Sequence, residues 1–382
     1  MKIIPYGKQE ITQEDIEAVI ASLRSDFLTQ GPQIQSFENE FANYVGCKYA
    51  VAVANGTAAL HLSALALNVR SNSRVLTTPM TFAASANCIA YCGGSIDFVD
   101  IDPINYTLDL GKLESLLASK PMGSYHGIVP VHFAGHPVDL ERLRSIATKY
   151  KLWILEDACH APGGSFFDSK TLIQKCGSGS YADLAIFSFH PVKHIATGEG
   201  GMITTNDETL YKKLLVLRTH GITKDPTALY ENHGGWYYEM QTLGYNYRLT
   251  DFQAALGTSQ LKRAAAGLKQ RQYLANRYSN ALSNYPLILP NVAKGFHHAW
   301  HLYVIKTERR LELYNYLHAK NIKVQVHYIP VHLMPYYKQF GWKAGDFPVA
   351  EEFYQKCLSL PMYPGLSDEE QDIVIKAIQD FF

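Results

Sequence analysis

The sequence predicts an α/β fold in which a large, mainly parallel mixed sheet is sandwiched by helices and is followed by a small α+β domain. Between residues 48 and 205, short apolar strands alternate with amphipathic helical patterns, an order typical of parallel strands with helices on both faces. Beyond residue 286 the pattern changes to a shorter set of strands and helices. A chain of 382 residues is long enough for two domains. We expect a large domain over 1–250, and a long connecting helix with a small domain over 251–382.

Two helices are predicted before the first strand. The first covers residues 12–23, where Thr12 and Asp15 have the spacing of a capping box. The second begins at Pro32 and ends close to Gly46. A proline at the start and a glycine after the end are typical of helix boundaries.

The alternating region is divided into short apolar segments and amphipathic segments. The predicted strands cover residues 49–53, 74–77, 96–99, 127–132, 153–155, 184–189 and 202–204. The predicted helices between them cover residues 57–67, 82–91, 110–118 and 139–150. Strands of this kind, joined through helices, are expected to lie side by side in one sheet.

The last third of the chain has a different pattern. Residues 250–282 contain few helix-breaking residues and are predicted to form one long helix. After it we expect a strand at 302–305, a helix at 309–319, an extended segment at 322–328 and a final helix at 367–381. These elements are typical of a small α+β unit.

Composition excludes several classes of protein. Hydrophobic residues make up 47% and charged residues 18% of the chain, which indicates a well-buried globular protein. Basic and acidic residues number 35 each, without a basic stripe, so nucleic acid is not expected as a partner. The N-terminus lacks the apolar core of a signal peptide, and no apolar run approaches the roughly 18 residues of a membrane span. We therefore expect a cytoplasmic protein with no membrane partner.

The six cysteines are scattered without the spacing of a metal finger or a disulfide framework. We expect them to serve as small buried apolar residues. A metal hydrolase is suggested by a group of histidines, but no HExxH helix or carboxylate partner accompanies them. These histidines are His297, His298, His301, His327 and His332. No metal site is predicted.

Reactive side chains follow two of the predicted strands. Asp157 ends the apolar segment 152–155, Lys193 follows the strand 184–189, and Ser188 lies five residues before Lys193. Alone, each would usually be a solvated charge or a cap. Pyridoxal phosphate (PLP) needs an amine for a Schiff base, an anion that keeps its ring nitrogen protonated, and donors for its phosphate. The three residues supply one of each.

A phosphate cradle is predicted upstream. The strand 49–53 ends at Asn55-Gly56, and a helix is expected to start near Thr57. Free amides at a helix start, with the positive end of its dipole, bind phosphate well. Ligands of parallel sheets lie beyond the carboxyl ends of the strands. Asn55, Asp157 and Lys193 all follow strands, so the sequence predicts one PLP site at that edge.

With these segments the chain resembles the DegT/DnrJ/EryC1/StrS family of sugar aminotransferases, which have the fold-type I PLP architecture. The resemblance covers essentially the whole chain. Its matching segments are 28–32, 55–59, 157–160, 188–193, 198–201, 244–249 and 327–330. It implies that Lys193 is the Schiff-base lysine and that Asp157 is the partner of the pyridinium nitrogen.

The resemblance also implies roles for weaker candidates. The residues that would hold the phosphate are Gly56, Thr57 and Ser188. Phe82 would stack on the ring, although a core aromatic is the alternative, and His160 would lie near the phenolic oxygen. Asn246, otherwise a turn residue, matches an asparagine that reaches the phosphate of the neighbouring subunit. We therefore expect a homodimer with shared active sites.

Substrate contacts are expected from a further set of residues, namely Thr29, Arg248, His301, His327 and Tyr328. Arg248 could pair with the carboxylate of the amino donor, or it could form a structural ion pair. His190 and Glu199 match the family motif without an assigned chemical role. The 25 tyrosines offer many stacking surfaces for uracil, and the sequence does not choose among them.

Within the family, segments 188–193 and 234–240 are most similar to the C4 aminotransferases of pseudaminic acid biosynthesis. This similarity implies transfer of an amino group from L-glutamate to C4 of a UDP-linked 4-keto-6-deoxy-N-acetylhexosamine, namely UDP-2-acetamido-2,6-dideoxy-β-L-arabino-hex-4-ulose. Transfer to C4 or C3 of another nucleotide-linked keto sugar stays open. A PLP-dependent sugar dehydratase is a further alternative, but such relatives carry His at the position of Lys193. A regulatory PLP-binding protein would usually show a disrupted lysine or an attached DNA-binding module, and the sequence shows neither.

Overall fold

The computed structural model describes residues 3–382, so the first two residues of the predicted 1–250 domain lie outside the described residues. The strands are β1 (Tyr49–Val53), β2 (Arg74–Thr77), β3 (Ser95–Phe98), β4 (Gly127–Val129), β5 (Trp153–Asp157), β6 (Ser165–Phe167), β7 (Ile173–Lys175), β8 (Leu184–Ser188), β9 (Gly201–Thr205), β10 (Ile222–Thr223), β11 (Glu239–Met240), β12 (Phe296–His297), β13 (Tyr303–Lys306) and β14 (Cys357–Leu360).

The helices are α1 (Gln13–Leu23), α2 (Pro32–Val45), α3 (Gly56–Ala66), α4 (Ala84–Tyr91), α5 (Leu110–Ala118), α6 (Leu140–Tyr150), α7 (Glu208–Arg218), α8 (Asp251–Lys262), α9 (Ala264–Leu282), α10 (Arg310–Ala319), α11 (Pro335–Lys338), α12 (Pro348–Lys356) and α13 (Asp368–Gln379). Two 3₁₀ turns lie at Phe133–Gly135 and Val331–Leu333.

The seven predicted strands form one mixed sheet in the order β1-β9-β8-β5-β4-β2-β3. β9 is antiparallel to both of its neighbours, and every other adjacent pair is parallel. The predicted large, mainly parallel sheet is therefore confirmed. Because β5 and β8 are adjacent and parallel, the residues that follow them meet at the same edge of the sheet.

Helices cover both faces of this sheet, as predicted. Along β1, Val51 and Val53 join a core with α3, α4 and α7, whereas Ala50 and Ala52 join a core with α2 and α8 on the opposite face. Under β2, β4 and β5, a further core contains residues of α5 and α6. Buried parallel strands need apolar residues on both faces, which explains their continuous apolar sequences.

The N-terminal helix is anchored to α8. The backbone N–H of Thr12 donates to Asp15 Oδ2 at 3.0 Å, so half of the predicted capping box is seen as a hydrogen bond. The buried Asp15 carboxylate also accepts from Gln260 Nε2 at 2.8 Å and pairs with Arg263. This ion pair lies where the predicted helix 250–282 is broken.

The prediction of one helix over 250–282 is wrong, because α8 and α9 are separate helices joined at Arg263, which has φ −108° and ψ 8°. The Arg263 guanidinium also donates to the carbonyl of Glu10 at 2.8 Å. Sequence patterns do not show this break, because the partner acids lie some 250 residues upstream. α9 then crosses to the C-terminal core.

Other boundaries also differ from the predictions. α4 begins at Ala84, two residues after the predicted start at Phe82, and β4 ends at Val129 because the chain then turns toward a 3₁₀ turn. The segment 322–328, which is predicted to be extended, forms isolated bridges, one of them between Gln325 and Ser359. The sequence patterns missed several short or amphipathic elements, which are α7, α11, α12, β6, β7, β10, β11, β12 and β14.

The C-terminal region is the expected small α+β unit. β13 pairs antiparallel with β14, and α9, α10 and α13 pack against this pair around one core. Ile4, near the other end of the chain, is part of the same core. The boundary after residue 250 stays a prediction.

All six cysteines are free thiols, and Cys88, Cys176 and Cys357 are buried, as expected for small apolar residues. Cys47, Cys92 and Cys159 are half-buried. Within residues 3–382, no helix combines the length and the hydropathy that a bilayer crossing requires.

A cluster of phenylalanines fixes α2 to the strand that precedes Lys193. The ring of Phe41 lies 4.9 Å from that of Phe187 and 5.5 Å from that of Phe189, measured between centroids. We predict that Phe41→Ala lowers the free energy of unfolding by about 3–5 kcal/mol, because it removes a fully buried ring. Urea denaturation of the cofactor-free protein measures this change. Phe340→Ala, at a ring that is 62% exposed, is the matched control and should stay within about 0.5 kcal/mol; equal effects of the two substitutions would contradict the prediction.

Candidate active site

One cavity of about 880 Å³ lies at the carboxyl edge of the main sheet. Residues that follow β1, β5 and β8 line it, as expected for a ligand site beyond the carboxyl ends of the strands. The predicted site residues in its wall are Gly56, Thr57, Phe82, Asp157, His160, Ser188, Lys193, His301, His327 and Tyr328. Tertiary structure therefore brings together ten candidates from six separate parts of the chain.

Asp157 is the last residue of β5 and is buried. Its Oδ2 accepts a hydrogen bond from Ser85 Oγ at 2.6 Å, and its Oδ1 accepts one from the backbone N–H of Cys159 at 3.1 Å. Both oxygens are thus held in place by hydrogen bonds. Ser85 was missed by the sequence reasoning, because it lies 72 residues upstream in a helix and belongs to no motif.

Lys193 lies in the turn after β8, where its backbone N–H donates to the carbonyl of His190 at 2.8 Å. Burial lowers the pKa of the Lys193 amine, against the opposing effect of Cys159 and Asp157. A lowered pKa increases the fraction of neutral amine, which is the nucleophilic form. The Lys193 Nζ atom lies 3.5 Å from Nε2 of His301.

The start of α3 forms an anion site beside this amine. Asn55 caps the helix, since its Oδ1 accepts from the N–H of Ala58 at 2.8 Å, and the first-turn amides of Gly56 and Thr57 have no intrahelical partner. Glycine is required close by, because a Cβ on Gly201 would lie 2.5 Å from the carbonyl oxygen of Asn55. Ser188 adds a hydroxyl to the same wall. Such a helix start suits a phosphate group.

The opposite wall carries uncharged rings. His160 Nε2 lies 3.1 Å from the Tyr328 hydroxyl, and its ring is 4.3 Å from that of His301. Burial, and then the nearby Lys193 charge, keeps the pKa values of His160 and His301 well below that of a free histidine. The same two causes lower the pKa of His327 to about 3, and burial raises the pKa of Tyr328. At neutral pH this wall therefore offers hydrogen bonds without charge.

The mouth of the cavity is aromatic. Phe82 is 61% exposed, and its ring centroid lies 6.0 Å from that of Tyr328. His61, Tyr91 and Tyr247 also line the cavity, and the sequence reasoning assigned none of them. His61 Nδ1 lies 3.3 Å from the Tyr247 hydroxyl. Their apolar surface suits a planar ring at the entrance.

Three predicted site residues do not line this cavity in one protomer. Asn246 is exposed and forms an isolated bridge with Thr219. Thr29 is exposed and bridges Thr250. Arg248 lines a separate cleft of about 240 Å³ and forms no ion pair with any described residue.

A group outside the cavity has the composition of a metal site. His132, Glu156 and Cys176 are buried and close together. His132 Nδ1 accepts from the N–H of Val138 at 2.9 Å, so Nε2 carries the hydrogen that it donates to Glu156 at 2.7 Å. Glu156 accepts a second hydrogen bond from Gly177 N–H at 2.7 Å. These hydrogen bonds already engage the histidine and the carboxylate, so we assign the group to the structure of the sheet.

The residues of the main cavity fit PLP. They offer an amine of lowered pKa and a buried carboxylate with a hydrogen bond at each oxygen. They also offer the start of α3, beside which only a glycine fits at position 201. The amine can bind an aldehyde, the carboxylate can hold a protonated ring nitrogen, and the amides can bind a phosphate.

The chain matches a family model and several known proteins over nearly its whole length. A family model described as the DegT/DnrJ/EryC1/StrS aminotransferase family matches residues 9–379. The spore coat polysaccharide biosynthesis protein SpsC of Bacillus subtilis is 42% identical over 99% of this chain and 96% of its own. The UDP-4-amino-4,6-dideoxy-N-acetyl-beta-L-altrosamine transaminase of Campylobacter jejuni (serotype O:2) is 35% identical over 97% of this chain and 96% of its own.

Two more proteins are similar to this chain over nearly their whole length. The GDP-perosamine synthase of Escherichia coli O157:H7 is 33% identical over 100% of this chain and 99% of its own. The putative sugar aminotransferase Spr1654 from Streptococcus pneumoniae, solved in its PLP form, superimposes with a TM-score of 0.90 at 28% identity, covering 99% of this chain and 98% of its own. The chain therefore belongs to the DegT/DnrJ/EryC1/StrS aminotransferase family, with the fold-type I architecture, and is a PLP-dependent sugar aminotransferase that acts on nucleotide sugars.

Proposed function

We propose that this chain transfers the amino group of L-glutamate to C4 of UDP-2-acetamido-2,6-dideoxy-β-L-arabino-hex-4-ulose, in the pathway to pseudaminic acid. The proposed amino transfer rests on one observation: Lys193 and Asp157 lie in one cavity with a helix start that suits a phosphate group. The choice of sugar is supported by segments 188–193 and 234–240 and by the similarity to the Campylobacter transaminase.

When bound, PLP supplies an aldehyde that links to amines and a ring that accepts an electron pair. We assign Lys193 to its covalent attachment. Once an amino donor has displaced it, the neutral Nζ of Lys193 would take the proton from the donor's α-carbon and pass it to the cofactor rather than back to the donor. Asp157 holds its charge toward the ring nitrogen, with its orientation fixed by Ser85 and Cys159.

The remaining cofactor contacts are also proposals. Gly56, Thr57 and Ser188 hold the phosphate at the start of α3, which the dipole of that helix favours. Phe82 would lie against the ring, and His160 would lie near the phenolic oxygen. Their position in the wall of the same cavity as Lys193 supports these assignments.

We also propose a homodimer in which each active site uses Asn246 of the partner subunit. Two observations support this arrangement. Asn246 is exposed and lies outside the cavity of its own protomer. The segment before it exposes several large apolar residues, which are Tyr230, Trp236, Tyr238, Met240 and Leu243. Exposed apolar groups of this extent are typical of an interface.

We also propose a cytoplasmic location, which the free thiols support.

A GDP-linked keto sugar is the second candidate substrate. The GDP-perosamine synthase is 33% identical to this chain, and the Campylobacter transaminase is 35% identical, so the two are about equally similar to it. We propose that the aromatic residues of the cavity mouth, such as Phe82 and Tyr91, contact the base and distinguish UDP from GDP.

A panel of substrates tests the proposed reaction. We predict that purified protein with PLP and L-glutamate aminates the UDP-linked 4-keto-6-deoxy-N-acetylhexosamine faster than its GDP- and dTDP-linked counterparts, with the new amine at C4. Measurement of 2-oxoglutarate gives the rates, and NMR of the product locates the amine. Conversion of only the GDP-linked sugar would select the second candidate, and an amine at C3 would contradict the proposed position.

Lys193→Ala should abolish turnover, because no other amine among residues 3–382 lies in the cavity wall to take the proton. Borohydride treatment of the native protein with PLP, followed by peptide mass mapping, should place the reduced adduct on Lys193. The exposed Lys212→Ala, whose amine pairs with Glu208, is the matched control and should keep its activity. An adduct on another lysine would show that the assignment is wrong.

Mixed dimers test the shared site. Co-expression of Lys193→Ala and Asn246→Asp subunits with different tags allows isolation of dimers that contain one of each. If Asn246 acts on the partner's site, both defects fall in one site and the other site is native. The mixed dimer should then have about half of the native activity, since one of its two symmetric sites is intact. Activity no higher than the mean of the two variant homodimers would contradict a shared site.

A further inference from the structure

His301 lies beside the amine of Lys193 in the wall of the cavity. The two residues are 108 positions apart, and His301 Nε2 lies 3.5 Å from Lys193 Nζ. Contacts of catalytic groups are commonly this long before ligands bind. The imidazole is 4% exposed, and its other nitrogen, Nδ1, is buried without a hydrogen-bond partner among residues 3–382. Among residues 3–382, the contact with Lys193 is therefore the only hydrogen bond of this ring.

The backbone that carries His301 is held from behind by Arg271. This arginine of α9 is fully buried, and its Nη1 donates to the carbonyls of Trp300, His301 and Met362 at 3.1, 3.3 and 3.0 Å. Trp300 has a φ of 52°, which is unfavourable for a residue other than glycine. Its indole N–H donates to Gln272 at 2.7 Å. Two consecutive side chains of α9 thus hold the bend that directs His301.

Several titratable groups surround the Lys193 amine and the His301 ring. They are Asp157, Cys159, His160, His194, Arg271, His327 and Tyr328. Burial is the largest cause that lowers the pKa of both Lys193 and His301, and Arg271 lowers each further. Asp157 and Cys159 act on Lys193 in the opposite direction. The imidazole is therefore neutral at neutral pH and can accept a hydrogen bond at one nitrogen.

We propose that His301 is a catalytic residue of the transamination, whose neutral Nε2 accepts an N–H of the protonated Lys193 amine. This inference rests on the proposed role of Lys193 as the proton-transferring group. When Nζ takes a proton from the donor, the resulting ammonium donates to Nε2, and the proton stays on Nζ until Nζ passes it to the cofactor. His301 keeps its own hydrogen on Nδ1 throughout. Arg271 is the positioning residue that holds His301 within reach.

The acidity of Lys193 in the cofactor-free protein tests this proposal without measuring turnover. Competitive acetylation with acetic anhydride over a range of pH, read by peptide mass mapping, gives the midpoint at which Lys193 becomes neutral. His301→Leu should lower this midpoint by about 1–2 pH units, because the ammonium loses a charge-assisted hydrogen bond. His301→Gln should restore most of it, because its amide oxygen can accept the same hydrogen bond.

His136→Leu is the matched control, since it removes another buried imidazole that does not line the cavity. Its midpoint should equal that of the native protein. If His301→Leu is insoluble, His301→Asn, whose shorter side chain withdraws the acceptor from Nζ, should give the same downward shift. An unchanged midpoint in a folded His301 variant, or equal midpoints for the leucine and glutamine variants, would overturn the proposal. A borohydride adduct on another lysine would instead refute the role of Lys193.

Discussion

The burial of one amine beside one carboxylate is the constraint on which the rest of the site depends. Removing a charge from water is costly unless a partner or hydrogen bonds compensate. The sheet meets this requirement because β5 and β8 are adjacent and parallel, with Asp157 opposite Ile186. The chain that leaves β8 therefore passes the carboxylate before it reaches Lys193. Ser85 and the N–H of Cys159 then hold both carboxylate oxygens.

Around this pair the protein places neutral groups rather than further charges. Burial keeps the nearby imidazoles uncharged, so the amine of Lys193 can change its protonation state without a competing cation in direct contact. Arg271, a buried cation, lies behind the wall, bound to three backbone carbonyls. Its role is to hold the backbone, and its charge adds to the burial that favours a neutral lysine.

The cavity has two chemically different parts. The amine, the carboxylate and the helix start lie at the sheet edge, whereas the mouth consists of exposed aromatic side chains such as Phe82 and Tyr91. Relatives whose names refer to UDP-linked and GDP-linked sugars are about equally similar to this chain. The similarity of the fold therefore does not by itself decide the substrate.

The sequence by itself determined the seven strands of the main sheet and placed Asn55, Asp157 and Lys193 at its edge. These features depend on local apolar patterns and on the rule that parallel strands end at a common edge. Only the tertiary structure decided that Ser85 binds Asp157, that His301 faces Lys193, and that the helix over 250–282 breaks at Arg263. Each of these contacts joins residues at least 72 positions apart. No local propensity or spacing encodes such a contact, because it arises only when separate elements pack together.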